Sequence, residues 1–457
     1  MIFKIINKIH FVGIGGIGMS AIAEVLFHKG FQISGSDREL SDITERLIEL
    51  GIEIFEGHSS ENVKDVDVLV YSAAVSLDNP EVQEAMKKNI PIVKRSEMLA
   101  ETMRMKYGVG VAGTHGKTST TSMIGLTLVE AGLDPTIIVG GKLNSLDGSN
   151  ARLGNGELIV VEADEFDRTF LKLNPAIAVL TSLEAEHLDT YKDLDDIKSA
   201  FMEYANKVPF YGFVAICIDD PELRNISSGI TKRVIKYGLG NDADVQAVDV
   251  KHKEFNSSYK VKYFGKEIGT IELSLPGDHN VKNSLAAVTV GIELGIDFGI
   301  IQQTLKTFKG AQRRFEIKYD KEVLVIDDYA HHPTEVVETL KGIRSSWNRR
   351  LVAVFQPHLY SRTRDFYKDF GKSFLNSTVF ICTDVYPARE LPIEGISGKL
   401  IADSAVEFGH KQVLYVPDKN DIPEILMNKK QDGDIIITMG AGDIYKYGDK
   451  FVSMLMN

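Results

Sequence analysis

The stretch Tyr107-Gly108-Val109-Gly110-Val111-Ala112-Gly113-Thr114-His115-Gly116-Lys117-Thr118-Ser119-Thr120-Thr121 reads as a strand, a turn bracketed by glycines and the start of a helix. Such a turn is a phosphate cradle. Its backbone N–H groups face an anion, the helix aims its positive end at the same point, and Lys117 adds a movable cation. Thr118 offers a hydroxyl suited to Mg²⁺. The common nucleotide loop has four residues between its glycines, whereas only two, Thr114 and His115, separate Gly113 from Gly116. The generic pattern is therefore matched in its Gly-Lys-Thr half. The competing reading is a plain strand-to-helix turn with a solvated lysine. A hydrophobic strand before the turn and a Thr/Ser-rich helix start after it favour the cradle.

Working outward, 457 residues exceed one ordinary core and suggest about two to four domains. The motifs favour three, at 1–104, 105–310 and 311–457. With 44% hydrophobic and 25% charged residues, the chain is a folded globular protein rather than a disordered or fibrous one. A formal net charge of -12 argues against a nucleic-acid partner and leaves small anions bound in local basic pockets. Cys217 and Cys382 lie in separate apolar runs without metal-like spacing, so two buried thiols in a reducing compartment are expected. Apolar runs such as Leu351–Phe355 and Ile435–Met439 are far shorter than a membrane span, which gives a cytoplasmic expectation.

Upstream of the cradle, His10-Phe11-Val12-Gly13-Ile14-Gly15-Gly16-Ile17-Gly18-Met19-Ser20 leads into a helical pattern ending at His28, then a strand and Gly35-Ser36-Asp37. This is the strand, Gly-x-Gly-x-x-Gly, helix, strand, acid order of a dinucleotide fold. It points to a diphosphate at the helix N-terminus, with Asp37 where a ribose or base contact falls. Further alternation through Val66–Ser72 and Ile90–Lys94 completes an α/β domain.

Downstream, the apolar run at Leu158–Val161 delivers Glu162, Asp164 and Glu165 at its C-terminal end, where ligands of parallel sheets bind. Glu162 is the candidate Mg²⁺ carboxylate; the alternative is a solvated acidic turn. After Ala176–Leu180, His187 stands among Glu184, Glu186 and Asp189 as a metal ligand, a general base or a structural hydrogen-bonder. Residues 234–275 read as a small antiparallel excursion. Asn280 and Asn283, three apart on the next helix, share one face and can either bond a purine edge or serve as caps.

Beyond Gly310, Arg313-Arg314-Phe315 precedes a strand, Val323–Ile326, that ends in Asp327-Asp328-Tyr329-Ala330-His331-His332-Pro333. Two acids and two histidines so close together mark a site. Strand Leu351–Phe355 then delivers His358, Arg362 and Arg364, whose guanidinium forks suit a carboxylate or phosphate.

Taken together these motifs resemble the Mur ligases, ATP-dependent amide-forming enzymes of peptidoglycan precursor synthesis. The resemblance is carried by His10–Ser20, Gly113–Thr118, Val161–Glu165, Glu186–Tyr191, His279–Asn283, Arg313–Phe315, Asp327–Val336, Gln356–Arg364 and Gly440–Gly442, spanning nearly the whole chain in family order. It implies an α/β protein of three domains: an N-terminal Rossmann-like domain, a central ATPase-type domain and a C-terminal Rossmann-like domain. The reaction implied is ATP-dependent joining of L-alanine to the lactyl carboxylate of UDP-N-acetylmuramate. ADP and phosphate would be released.

Residue by residue, the resemblance implies ATP contacts from Gly113, Thr114, His115, Gly116, Lys117, Thr118, Ser119, Asn280, Asn283 and Arg314. Thr118, Glu162 and His187 would hold Mg²⁺. Gly15, Gly16, Gly18, Met19, Ser20, Asp37 and Ser72 would contact the sugar nucleotide, with His115 near its muramyl end. Tyr329, His358 and Arg362 would surround alanine, while Lys117, His187, Arg314, Asp328 and His331 would serve catalysis. Two positions depart from the family pattern: Leu359 stands where several members have arginine, and Ser182 where many have asparagine. A nicotinamide-dependent oxidoreductase built on the first glycine loop is the competing reading, and it leaves Lys117, Glu162 and His187 without a role.

Overall fold

Short apolar strands alternating with helices put the chain in the α/β class, and the described residues of the computed structural model form three sheets with helices between their strands. It describes residues 6–72, 74–140, 150–166, 168–186, 190–388 and 390–456. The chain divides into two compact units. One comprises Met1–Val248, Lys260–Ile271 and Lys282–Phe308, the other Asp249–Tyr259, Glu272–Val281 and Lys309–Asn457.

The first unit opens with a five-stranded parallel sheet in the order Glu53–Glu56, Gln32–Asp37, Lys8–Val12, Val68–Tyr71, Ile92–Lys94. Phe11, Ile22, Leu26, Leu47 and Val70 are fully buried in its core. Burial on both sheet faces is why Val68–Tyr71 reads as an unbroken apolar run. Beneath the sheet's C-terminal end lies a buried carboxylate, Glu81, which accepts hydrogen bonds from Ser36 Oγ at 2.6 Å and Asn62 Nδ2 at 2.6 Å. His58 and His10 approach it at 3.1 and 3.5 Å. Burial raises its pKa, but the bonds from His10, Ser36 and Asn62 outweigh that and hold it below the usual value.

The second sheet of this unit places Tyr107–Ala112 between Leu158–Glu162 and Ile177–Leu180, all parallel. Phe213–Cys217 and Val234–Gly238 continue it on one side, Thr136–Ile138 and Ala151–Arg152 on the other. The expectation of an antiparallel excursion from residue 234 is corrected at its first strand, because Val234–Gly238 pairs parallel with Phe213–Cys217. The helix Pro221–Ile226, capped by Asp220, makes the crossover a parallel neighbour needs. Tyr237 is buried in the joint and donates its hydroxyl to Leu180 O at 3.0 Å. The following strands, Val245–Lys253, Asn256–Tyr263 and Lys266–Leu273, are joined by two-residue turns that only antiparallel neighbours allow.

In the second unit the sheet order is Glu316–Asp320, Leu324–Asp328, Ile435–Met439, Leu351–Phe355, Val379–Cys382, Val413–Tyr415. Only the edge strand Glu316–Asp320, which the sequence pattern did not predict, is antiparallel. The strand expected at Val323–Ile326 extends to Asp328, so both aspartates sit in the ladder, opposite Thr438 and Met439.

Candidate active site

The central strand of the first unit's larger sheet ends at Ala112, and its two neighbours deliver Glu162 on one side and Thr181-Ser182 on the other. Between them the Gly113–Thr118 turn enters the helix Lys117–Glu130, which has no side-chain cap and no acid in its first turn. Its first-turn N–H groups therefore open onto the turn. Gly116 has φ 81°, and a Cβ there would lie 2.5 Å from Asn283 Oδ1, so only glycine lets the asparagine approach. Asn283 thus meets the cradle, whereas Asn280 donates its amide to Pro276 O at 2.8 Å, a bond local to its own helix start.

Lys117 Nζ donates to Gly113 O at 2.6 Å and to both oxygens of Glu165 at 2.9 Å. Burial works against the ammonium, but Glu165, Asp164 and Glu162 outweigh it and hold Lys117 above its ordinary pKa. Thr118 Oγ1 lies 2.9 and 3.1 Å from the Glu162 oxygens, and Gly140 N donates to Glu162 at 2.7 Å. A hydroxyl facing a carboxylate beside a glycine turn and a helix start is a hard-oxygen donor set of the kind Mg²⁺ takes. His187, the third expected metal ligand, lies outside the described residues. Thr114 and His115 are tied down by Ser182: Thr114 N donates to Ser182 O at 3.1 Å and His115 N to Ser182 Oγ at 2.8 Å. Ser119 is half-buried on the first helical turn.

In the smaller sheet, the loop after Val12 turns on Ser36, whose carbonyl accepts from Gly13 N at 2.8 Å and Ile14 N at 3.0 Å. Asp37 accepts from Gly15 N at 2.8 Å, so the carboxylate expected at a ribose braces the loop itself. Met19 and Ser20 are buried, and Ser20 Oγ donates to Ile17 O at 2.9 Å. Gly16 caps the helix Ile17–His28 without a side-chain bond, so the open donors belong to the turn around Ile17 and Gly18. Ser72 lies on the same rim, its N–H donating to Val12 O at 3.3 Å.

The second unit gathers Tyr329, His331, His358 and Tyr386 through successive ring contacts at 5.3, 6.2 and 5.8 Å. Burial, aided by the charges of His331 and Arg362, pushes His358 down to about 4, so its imidazole is neutral at pH 7. Leu359 opens the helix Tyr360–Ser373 with φ 72°, a strained backbone for leucine. Asp328 accepts from Phe315 N at 2.8 Å and Ala330 N at 2.9 Å. Burial pushes it up to about 6 although Arg314 pulls it down. Arg314 lies over the Tyr329 ring, its guanidinium carbon 5.2 Å from the centroid, with Nη1 3.6 Å from Glu335 Oε1.

Two residues that sequence reasoning left unassigned hold this geometry. Glu165 fixes Lys117. Arg313 bonds Asp327 at 2.9 Å, Gly440 O at 2.7 Å and Gly442 O at 3.1 Å, tying the last glycine turn to the Asp327-Asp328 strand. The sequence placed Arg313 next to Arg314 ahead of the strand but carried no signal for its bonds to Asp327, Gly440 and Gly442.

Comparison with known proteins agrees with this layout. Residues 8–107 match the model "Mur ligase family, catalytic domain", 111–291 "Mur ligase middle domain", and 313–442 "Mur ligase, glutamate ligase domain". The chain is 51% identical over 451 residues to a UDP-N-acetylmuramate--L-alanine ligase of Geotalea uraniireducens, covering 98% of each. It is also 51% identical to one of Salinibacter ruber, covering 99% of this chain and 96% of the relative. The crystal structure of UDP-N-acetylmuramate-alanine ligase from Thermotoga maritima superposes with a TM-score of 0.83 at 31% identity, covering 98% of this chain and 99% of that one. With all three models matched in order along it, this chain belongs to the Mur ligase family.

Proposed function

We propose that this protein joins L-alanine to the lactyl carboxylate of UDP-N-acetylmuramate, using ATP and releasing ADP and phosphate, in peptidoglycan precursor synthesis. The observation that carries the reading is the phosphate cradle with Lys117 at its centre and Thr118 facing Glu162 at its edge. Half-identity over the whole chain to relatives named for this reaction supports it. The same reading divides the chain at 1–104, 105–310 and 311–457 and puts the enzyme in the cytoplasm; no helix among the described residues is long and apolar enough to cross a membrane.

A carboxylate is a poor acyl donor, so ATP first converts it to an acyl phosphate, and the alanine amine then displaces phosphate. No protein nucleophile is required. Lys117 and the open N–H groups of the helix start neutralise the transferring phosphoryl group. Thr118 and Glu162 would hold Mg²⁺, which when bound shields phosphate charge. Asn283 meets the nucleotide, while Tyr329, His331, His358 and Arg362 orient alanine so that its amine is aligned for attack. Neutral His358 suits a pocket that must accept both an amine and a carboxylate without adding a charge of its own.

The test is product analysis by mass spectrometry with ATP, Mg²⁺, UDP-N-acetylmuramate and a panel of acceptors that includes alanine, glycine, serine and a cell-wall tripeptide. UDP-N-acetylmuramoyl-L-alanine with ADP and phosphate is expected. AMP with pyrophosphate, or preference for the tripeptide, would overturn the reading.

A further inference from the structure

Arg95 is the first residue of the helix Arg95–Arg104, directly after the strand Ile92–Lys94, at the C-terminal edge of the five-stranded sheet where ligands of such sheets bind. Its guanidinium reaches the turn of the first glycine loop: a Cβ added at Gly18 would lie 2.6 Å from Arg95 Nη1 and 3.4 Å from its Cδ. Glycine at 18 is thus what gives the arginine its place.

A half-buried guanidinium ordinarily finds a carboxylate. Arg95 has no ion pair or hydrogen bond from its side chain among the described residues. The acids of its own helix are engaged elsewhere, Glu97 with Lys172 at 2.8 Å and Glu101 with Arg104 at 2.6 Å. Asp37, the acid of the loop, is taken by Gly15 N and Arg38 N. The helix it faces carries no acid in its first turn. Cation, open N–H groups and absence of local counter-charge coincide at one point. We propose that Arg95 binds the diphosphate of a nucleoside-diphosphate sugar, completing with its planar fork what the glycine loop begins with backbone donors. The inference rests on the reading that the first loop holds the UDP part of the substrate.

The two claims separate experimentally. Calorimetric titration of the full chain with UDP and with UMP gives the ratio of their affinities, which isolates the second phosphate. Arg95→Ala should weaken UDP roughly ten- to a hundredfold and UMP less, so that the ratio falls, with Arg95→Lys intermediate. The apparent KM for ATP should stay within twofold. An unchanged ratio in Arg95→Ala would make Arg95 a solvated surface cation and overturn the proposal. Equal weakening of UDP and UMP would mean that the loop had merely loosened, and would overturn it too. Failure of the unaltered protein to bind UDP at all would instead remove the underlying reading of the loop.

Discussion

The ammonium of Lys117 lies 2.9 Å from each carboxylate oxygen of Glu165 while donating to Gly113 O at 2.6 Å, so its three protons are all engaged within the protein. Both side chains are buried, at 14% and 4% exposure. Removing one partner of such a pair strands the other, which typically costs about 3–5 kcal/mol. Lys117→Ala should therefore lower thermal stability as well as amide formation, the latter by roughly two to four orders of magnitude. Sugar-nucleotide binding should survive. The double variant Lys117→Ala with Glu165→Gln should regain most of the stability and none of the activity, measured by denaturant unfolding alongside product formation. Near-normal turnover in Lys117→Ala would show that the organising turn has been misread.

Because phosphates can reach Lys117 only by displacing an existing partner, Glu165→Gln should bind ATP more tightly, by several-fold, than the unaltered chain. Neutral glutamine holds the ammonium less firmly. Fluorescence titration with a nucleotide analogue checks this, and weaker binding would make Glu165 a direct support of the nucleotide.

Thr118 and Glu162 face each other at 2.9 Å, which predicts a shared role toward Mg²⁺. Glu162→Gln should raise the Mg²⁺ concentration needed for half-maximal activity by roughly ten- to a hundredfold. Saturating ATP should not repair it. A Mg²⁺ dependence identical to that of the unaltered chain would remove Glu162 from the metal site.

How far the sequence reached depends on where each contact partner lies along it. The strand, turn and helix start around Gly113–Thr118 were legible because strand, glycines, lysine and threonine are contiguous, and the place of Glu162 because it ends an apolar strand. The hold of Glu165 on Lys117 was not, since the two are 48 residues apart and no motif links them. Arg95 carried no signal at all; its meaning comes from the packing of a helix start against Gly18. Val234–Gly238 was read as part of a hairpin excursion because turn residues surround it, yet the crossover helix Pro221–Ile226 decides that it runs parallel. Likewise Asp327 looked like a turn residue, and only Arg313 and Thr438 Oγ1, at 2.9 and 2.7 Å, make it tolerable inside a strand.

His358 gives a prediction with a definite sign. Its folded-state pKa of about 4 lies below the ordinary value of 6.5, so between these limits the unfolded chain binds the extra proton. Stability from the neutral imidazole is then complete above pH 6.5, falls as pH drops toward 4 and levels off below. Allowing for its partial exposure, the loss is about 1–3 kcal/mol. Urea unfolding at pH 7 and pH 5 should show a smaller difference for His358→Gln than for the unaltered chain. An equal difference would assign the acid sensitivity to other groups.

Arg362 follows His358 by four residues on the helix that starts after Leu359, and its charge contributes to the low pKa of His358. If its fork holds the alanine carboxylate, Arg362→Ala should raise the apparent KM for alanine by the equivalent of about 2–5 kcal/mol while that for ATP changes little. Arg362→Lys should recover part, because an ammonium cannot make the two-toothed contact. Leu359 is the informative neighbour. Its φ of 72° is strained for leucine, so Leu359→Gly should stabilise the fold by roughly 0.5–1 kcal/mol without altering alanine KM. Leu359→Arg restores the residue that several family members carry, and should tighten alanine or leave it unchanged where Arg362 already fills that role. Titrating alanine against all four variants at saturating ATP and sugar nucleotide decides the matter. An unchanged alanine KM in Arg362→Ala, with ATP affinity lost instead, would move this arginine from the amino-acid pocket to the phosphate site.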